Sequence, residues 1–142
     1  MRKSAIAVML VVLGGAVVVC GCASTPQGPS DEELIAEVVE GMKGALVAQD
    51  LDTLMTFYSE NFEHWEYGDK AGLKNFMEEA IDMGYLENAE VSTDKAETTI
   101  EKDTAKVYPV EFAASFGSAT IGVELKKEGM AWLITSMDIE IY

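Results

Sequence analysis

The stretch AQDLDTLMTFYSENF, residues 48–62, spans the end of one predicted helix, a second helix and the approach to a first strand. Upstream, Ser30 and Glu33 form a capping box that begins the first helix. The apolar positions of that helix recur at helical spacing: Ile35, Val39, Met42 and Leu46. QDLD breaks this pattern, and a second helix extends to about Ser59 with four apolar positions: Leu51, Leu54, Phe57 and Tyr58.

Downstream, NFEHWEY at residues 61–67 alternates as a short strand does. Asp69 is a suitable N-cap for a third helix from about Lys70 to Met83, and Gly84 is placed to end it. The predicted buried face of this helix comprises Leu73, Phe76, Met77, Ala80 and Ile81. Four strands are then predicted near 87–100, 104–114, 119–127 and 131–141, with a bulge or bend at Asp94 and Lys95.

Helices followed by hairpin-connected strands predict an α+β fold with the helices on one face of an antiparallel sheet. The segment at 48–62, DTAKV at 103–107 and EGMAWLI at 128–134 resemble the NTF2-like superfamily, including its SnoaL-type and ketosteroid-isomerase-type members. The resemblance covers about residues 31–141. It implies a cone in which three N-terminal helices pack on a curved antiparallel sheet of four long strands plus a short strand. The superfamily contains enzymes, binding proteins and interaction modules, so the fold alone does not indicate a function.

The first residues have the pattern of a secretory signal, with positive charge in MRKS and an apolar run from Ala5 to Val19. The following VCGC, residues 19–22, resembles the bacterial lipoprotein box. The resemblance implies cleavage after Gly21 and a lipid on Cys22; the alternatives are an ordinary signal with two unrelated cysteines or an uncleaved anchor. The predicted organisation is a lipoprotein signal peptide at 1–21, a lipid-anchored tether at 22–30 and an NTF2-like domain at 31–142.

This organisation predicts a location in the bacterial cell envelope, anchored to a membrane through Cys22. If the cell has two membranes, Ala23 in place of Asp favours the outer membrane facing the periplasm, by family analogy. Otherwise the outer face of the cytoplasmic membrane is expected. With Cys20 removed and Cys22 alkylated, the mature chain would have no free thiol, no disulfide and no thiolate zinc site.

The chain is strongly acidic, with a net charge of −15, and the signal contains Arg2 and Lys3 but no acidic residue. Its removal would make the mature protein more acidic still. Such a charge argues against nucleic acid as a partner, because like charges repel. We interpret the charge as favouring solubility and distance from an anionic membrane, with a cationic ligand as the alternative.

Glu66 is the first candidate for chemistry. An ungapped alignment to ketosteroid-isomerase-like proteins places Glu66 at the position of their general-base carboxylate. This resemblance implies that the Glu66 carboxylate lies in an apolar cavity. The positions of the two hydrogen-bond donors of that mechanism fall on Met42 and near Val123, neither of which donates. This argues against isomerase chemistry, and Glu66 remains either a pocket carboxylate or a solvated strand residue.

His64, the only histidine, should point to the same side of a strand as Glu66. The pair is a candidate catalytic couple, the alternative being a histidine that only forms structural hydrogen bonds; a lone histidine cannot form a histidine metal site. Trp65 should face the other way, into packing or towards a partner.

Alternation along the last strands places further polar side chains on the predicted helix-facing side. If Ala105 and Val107 face the helices, alternation places Glu111 on the same side. If Trp132 and Ile134 face the helices, so do Ser136 and Asp138. Glu66, Glu111 and Asp138 would then converge in one cavity and require a cation or shared protons; the alternative is that a bulge turns one or more outward. The pocket candidates are Tyr58, His64, Glu66, Glu111, Ser136 and Asp138. Neither a metal nor a cofactor is predicted.

The same alternation predicts an apolar outer face of the sheet, which favours a homodimer that pairs through it, as NTF2-like proteins often do. Its predicted residues are Tyr108, Val110, Phe112, Leu133, Met137, Ile139 and Ile141.

Three functional hypotheses follow. The first is an envelope lipoprotein with a non-catalytic domain that binds a small molecule or a protein partner. The second is a lyase, isomerase or hydrolase that uses Glu66 with His64. The third is a purely structural protein that interacts with other envelope components.

Overall fold

A computed structural model describes residues 27–142. The predicted signal peptide, Cys22 and the first part of the tether lie outside the described residues. The helices are α1 (Asp31–Ala48), α2 (Leu51–Met55) and α3 (Lys70–Asp82). The strands are β1 (Glu63–His64), β2 (Gly68–Asp69), β3 (Glu90–Ser92), β4 (Glu97–Glu101), β5 (Thr104–Ala114), β6 (Gly117–Glu128) and β7 (Ala131–Ile141). None of the helices within this range is both long and apolar enough to cross a membrane.

The helix ends follow the local signals in the sequence. The Ser30 hydroxyl accepts a hydrogen bond from the Glu33 N–H at 3.2 Å, and the Glu33 carboxylate accepts one from the Ser30 N–H at 2.7 Å, which confirms the capping box. The Asp69 carboxylate caps α3 by accepting the Gly72 N–H at 2.9 Å. Gly84 follows α3 with a φ of +75°, a left-handed conformation that glycine adopts readily.

The second helix is shorter than predicted, ending at Met55 instead of near Ser59. Beyond it the backbone turns to β7, where the Ser59 N–H donates to the Ile134 carbonyl at 2.8 Å and the Ile134 N–H donates to the Phe57 carbonyl at 2.9 Å. Tyr58 forms the isolated parallel bridge at this point. These bonds fix Tyr58 with its side chain in the core.

The antiparallel α+β arrangement is confirmed, with differences in strand detail. The main sheet has the order β3-β5-β6-β7. The strand β4 also pairs with β5, along residues 104–108, whereas β3 pairs with residues 111–113 of the same strand. The first predicted long strand is therefore two short ones, β3 and β4, separated at residues 93–96 where the bend was expected. The predicted short strand at 61–67 is reduced to the two residues of β1, which pair with β2 just beyond it in a hairpin.

A bulge in β5 changes which of its side chains face the helices. Val107 pairs with Val123, but the next pair is Val110 with Ile121, so β5 contains one residue more than β6 in this interval. Val110 and Phe112 are buried as a result. The expectation that Glu111 shares the face of Val107 is therefore wrong.

A second bulge lies in β7. Ile134 pairs with Leu125 and Ser136 pairs with Glu124, so Thr135 is the additional residue. Past this point Met137 is buried, and Asp138 is exposed. The expectation that Ser136 and Asp138 share the face of Ile134 is therefore wrong.

The two bulges also change the outer face of the sheet. Lys106 lies there between two carboxylates, with its Nζ 3.3 Å from Asp138 and 3.8 Å from Glu124. Of the residues predicted to form an apolar outer face, Phe112 and Met137 are buried, as is Val110, while Ile139 and Ile141 line an internal cavity. The prediction of an apolar outer face is wrong, since only Tyr108 and Leu133 keep to it. Pairing of two copies through this face stays an untested prediction without its original basis.

The core lies between the helices and the inner side of the sheet, and its most buried large side chains have at most 1% of their surface exposed: Trp132, Phe62, Ile35, Met42, Leu125, Ile134, Val110 and Val123. The Trp132 indole N–H donates to the Asp31 carboxylate at 3.0 Å, which fixes the first turn of α1 against the start of β7. Lys127 Nζ contacts the same carboxylate oxygen at 2.7 Å.

Candidate functional site

A cavity of about 310 Å³ lies between the helices and the inner side of the sheet. Its walls are almost entirely hydrocarbon, because seventeen residues line it and only the three tyrosines among them have polar side chains. The helices and the segments next to them contribute Met42, Leu46, Tyr58, Tyr67, Leu73, Phe76, Met77, Ala80, Tyr85 and Leu86. The sheet side contributes Phe112, Phe116, Ala119, Ile121, Met137, Ile139 and Ile141.

Met42, Tyr58 and Met137 are buried lining residues, and they define what we call the closed end of the cavity, where the Tyr58 hydroxyl lies. This side chain is only 4% exposed, and its hydroxyl lies 3.3 Å from the Met137 sulfur and 3.9 Å from the Met42 sulfur. Thioether sulfur is a weak hydrogen-bond acceptor. Burial raises the pKa of Tyr58 far above its usual range, because the phenolate would lose its hydration. The closed end therefore presents a neutral hydroxyl with weak partners.

The open end is formed by partly exposed apolar side chains. Phe76, Tyr85, Phe116 and Ile141 all line the cavity, yet they are 43%, 50%, 37% and 69% exposed. The cavity thus has an apolar mouth that communicates with the surface. A molecule that enters meets hydrocarbon first and the Tyr58 hydroxyl last.

One wall of the cavity is supported by three stacked rings. Phe76 stacks on Tyr67 with ring centroids 4.4 Å apart, and Tyr67 stacks on His64 at 4.5 Å. Burial, and secondarily the charge of Glu66, raise the pKa of Tyr67. Tyr67 and Phe76 line the cavity, and His64 lies behind them.

His64 is buried, and its ring is oriented by the backbone of its own hairpin. Its Nδ1 accepts from the N–H groups of Glu66 at 3.2 Å and Tyr67 at 3.4 Å. A nitrogen that accepts holds no proton, so these bonds assign the proton of the neutral ring to Nε2. That Nε2 is buried and has no hydrogen-bond partner among residues 27–142.

The structure does not bring the predicted polar residues together. Tyr58 lines the cavity, but Glu66 is exposed, because β1 ends at His64 and the following residues turn, which ends the alternation that the prediction assumed. Glu111 is bound by Lys95 at 3.0 Å on the outer side of the sheet. Asp138 and Ser136 are also turned outward, by the β7 bulge.

Several lining residues were not identified from sequence. Alternation predicts Met137 on the opposite face, and the sequence pattern does not indicate Tyr67 as a wall of the cavity, yet both residues line it. Pro109 was the available signal, because proline inside a strand is confined to edges and bulges, and it lies within the β5 interruption. In the described part of the chain, no group of three or more histidine, cysteine, aspartate or glutamate residues could hold a metal ion.

Solved structures with the same architecture are numerous, although their sequences differ widely from this one. A Nostoc punctiforme protein of unknown function with a cystatin-like fold matches with a TM-score of 0.66 and 15% identity, over 79% of this chain and 91% of that one. An NTF2-like protein of unknown function from Shewanella oneidensis matches with a TM-score of 0.63 and 14% identity, over 78% and 98% of the two chains. An NTF2-like protein from Streptomyces avermitilis, provisionally named a dehydratase, matches with a TM-score of 0.62 and 12% identity, over 79% and 97%.

At these identities the similarity concerns the fold, and the chain has the NTF2-like α+β fold that the sequence predicted. No family model matches the chain, and no curated protein does.

Proposed function

We propose that this protein is a lipid-anchored protein of the bacterial envelope whose NTF2-like domain binds a small apolar molecule without catalysis. The observation that supports the binding role is the cavity itself, about 310 Å³ with almost no polar lining and an apolar mouth. Ligand sites in proteins are typically concave, mostly apolar and largely preformed. An apolar cavity of 150 Å³ can bind benzene, so one of twice that volume encloses roughly ten to fifteen carbon atoms, and its open mouth allows a somewhat larger molecule to extend towards the surface.

The position of the ionisable side chains supports binding over catalysis. General acid–base chemistry needs a group within hydrogen-bond reach of the reacting atoms. The sequence-based candidate Glu66 is exposed, and His64 is separated from the cavity by Tyr67. Among the residues that the structure describes, the one ionisable group at the closed end is Tyr58, whose raised pKa keeps it protonated at neutral pH.

The signal-like residues 1–21 and Cys22 support the envelope location, and the geometry of the domain indicates how the cavity would be presented. The first turn of α1 contacts Trp132 at the start of β7, whereas the mouth contains Ile141 at its end. Nine residues of strand separate these positions by about 30 Å. The tether would thus join the domain near one end of the sheet, with the mouth of the cavity at the other.

Binding is tested with N-phenyl-1-naphthylamine, whose fluorescence increases in an apolar site. The chain beginning at Ala23 lacks both Cys22 and the apolar run at residues 5–19, so it avoids detergent that would compete for the cavity. We expect saturable binding to this chain and its loss in Ala80→Phe, which fills the cavity because Ala80 is 6% exposed and lines it. Ala71→Phe on the exposed side of α3 is the matched control and should bind as before. Equal binding by both variants, or none by the parent, would refute the binding role.

The anchor is tested separately by intact-mass measurement of the protein extracted from membranes. We expect a mass consistent with cleavage after Gly21 plus acyl groups, and the loss of the lipid mass in Cys22→Ala. An unmodified Cys22 would contradict the proposed membrane location and leave the binding role unaffected.

A further inference from the structure

We propose that the Tyr58 hydroxyl is the polar anchor of the ligand and that the ligand is a neutral apolar molecule with a hydrogen-bond acceptor, such as a ketone oxygen, at its leading end. This inference rests on the proposed function and names the class of molecule that the cavity binds. It is independent of the membrane anchor.

The first step is the accounting of hydrogen bonds at the closed end. Buried hydroxyl groups normally have a good partner, because an unmade bond in an apolar environment is costly. Within residues 27–142, the hydrogen-bond partners of the Tyr58 hydroxyl are the Met42 and Met137 sulfur atoms, which are weak acceptors. Both methionines line the cavity, so the hydroxyl lies at the cavity surface with its hydrogen-bonding capacity poorly used.

The second step concerns the charge of the ligand. None of the residues that line the cavity, all within the described range, is a lysine, arginine or histidine. A carboxylate or phosphate at the closed end would lose its hydration without a counter-charge, which is strongly unfavourable. A cation would meet no carboxylate there either, since the acidic candidates lie outside the cavity. The closed end is therefore suited to a neutral polar atom.

The third step concerns the direction of the hydrogen bond. The raised pKa keeps Tyr58 as a phenol, which donates one hydrogen bond and can accept others. The nearer of its two sulfur partners, Met137 at 3.3 Å, accepts this proton, and a ketone, ester or ether oxygen is a better acceptor than a thioether. A ligand oxygen at the closed end would take over the hydroxyl proton, while the apolar walls contact the remainder of the molecule.

The experiment compares two molecules of nearly equal size, 2-acetylnaphthalene and 2-ethylnaphthalene, which differ by the ketone oxygen. Each displaces N-phenyl-1-naphthylamine from the chain beginning at Ala23, and from the same chain with Tyr58→Phe or Tyr108→Phe. Tyr108 is 45% exposed on the outer face of the sheet and does not line the cavity, so it is the matched control for loss of a tyrosine hydroxyl.

We expect Tyr58→Phe to weaken 2-acetylnaphthalene binding about threefold to tenfold, the range for one neutral hydrogen bond. Binding of 2-ethylnaphthalene should remain unchanged or tighten, and Tyr108→Phe should affect the binding of neither compound. The ketone stretching band of bound 2-acetylnaphthalene should lie at lower frequency in the parent than in Tyr58→Phe, a shift that altered packing alone would not produce. The anion 2-naphthoate should not compete.

The possible outcomes separate the two proposals. If both neutral compounds bind, and Tyr58→Phe weakens their binding equally or not at all, the role of the Tyr58 hydroxyl as polar anchor is refuted and the binding role of the cavity stands. Competition by 2-naphthoate at a similar concentration would also overturn the neutral-ligand inference. If neither neutral compound displaces the fluorescent probe from the parent chain, the role of the Tyr58 hydroxyl as polar anchor is overturned. Binding of the probe itself then decides whether the cavity binds apolar molecules.

Discussion

Tyr58→Phe should stabilise the protein, although replacing a buried tyrosine by phenylalanine usually removes a good hydrogen bond and destabilises. Burying a hydroxyl without a full partner costs about 1–3 kcal/mol, and the two weak sulfur contacts return only part of this. Phenylalanine keeps the edge-to-face contact with Phe62, whose ring centroid lies 5.3 Å away. The deleted oxygen borders a cavity that already exists, so no new enclosed void forms in the core.

We therefore expect the free energy of unfolding to rise by about 1 kcal/mol. For a domain of this size the melting temperature should rise by about 4 °C. Urea denaturation followed by circular dichroism measures the change, and the denaturant slope should not differ between variants. Tyr85→Phe is the control, since its half-exposed hydroxyl is solvated and its removal should change stability little.

A loss of 1 kcal/mol or more in Tyr58→Phe would refute this reasoning, because it would mean that the hydroxyl has a stronger partner than two thioethers. The same result would remove the premise of the ligand anchor. A gain in stability combined with weaker binding of a ketone would instead show that the protein retains a destabilising group for the sake of its ligand.

Two further predictions concern the support of the cavity and the attachment of α1. Gly72→Ala should lower the free energy of unfolding by about 1–3 kcal/mol, because a Cβ at this position would overlap the Tyr67 carbonyl oxygen. Gly44→Ala is the control, since its Cβ meets open space on α1 and the change should be neutral or stabilising. Equal effects of the two changes in thermal melts would contradict the close contact at Gly72. Hydrogen bonds from Lys127 and Trp132 hold the pKa of Asp31 below its ordinary value, so its stabilising contribution is present above the unfolded pKa near 4 and is lost as the pH falls through the lower folded value. Asp31→Asn should therefore lose less stability than the parent between pH 5 and about pH 2 in urea titrations, and an identical acid dependence would contradict this assignment.

Local signals in the sequence were sufficient for the helices and for the general order of strands. The Ser30 box, the Asp69 cap and Gly84 each act within a few residues, so they can be identified without knowing the tertiary structure. The extent of α2 could not be identified in this way, because its end is set by backbone hydrogen bonds with Ile134, a residue 75 or more positions later. The Ser59 N–H donates to the Ile134 carbonyl, and the Phe57 carbonyl accepts from the Ile134 N–H.

The site was predicted less well because side-chain alternation is cumulative. A strand with one additional residue reverses every assignment beyond it. In β5 the interruption contains Pro109, which could have indicated it, but in β7 the additional residue is Thr135, an ordinary strand former. The apolar character of the cavity follows from both bulges together, and neither is identifiable from a repeating pattern.

The bulges have a consequence for how the chain avoids the wrong arrangement of its own sheet. A straight β7 would turn Ser136, Asp138 and Glu140 inward, and a straight β5 would do the same to Glu111. Either alternative would bury carboxylates among methionine, leucine and phenylalanine side chains, at a cost of several kcal/mol per charge. The acidic residues on the outer face thus favour the bulged strands over the straight ones that the same sequence could form. The cavity is apolar because the straight arrangement, which would line it with carboxylates, is excluded by the cost of burying those charges.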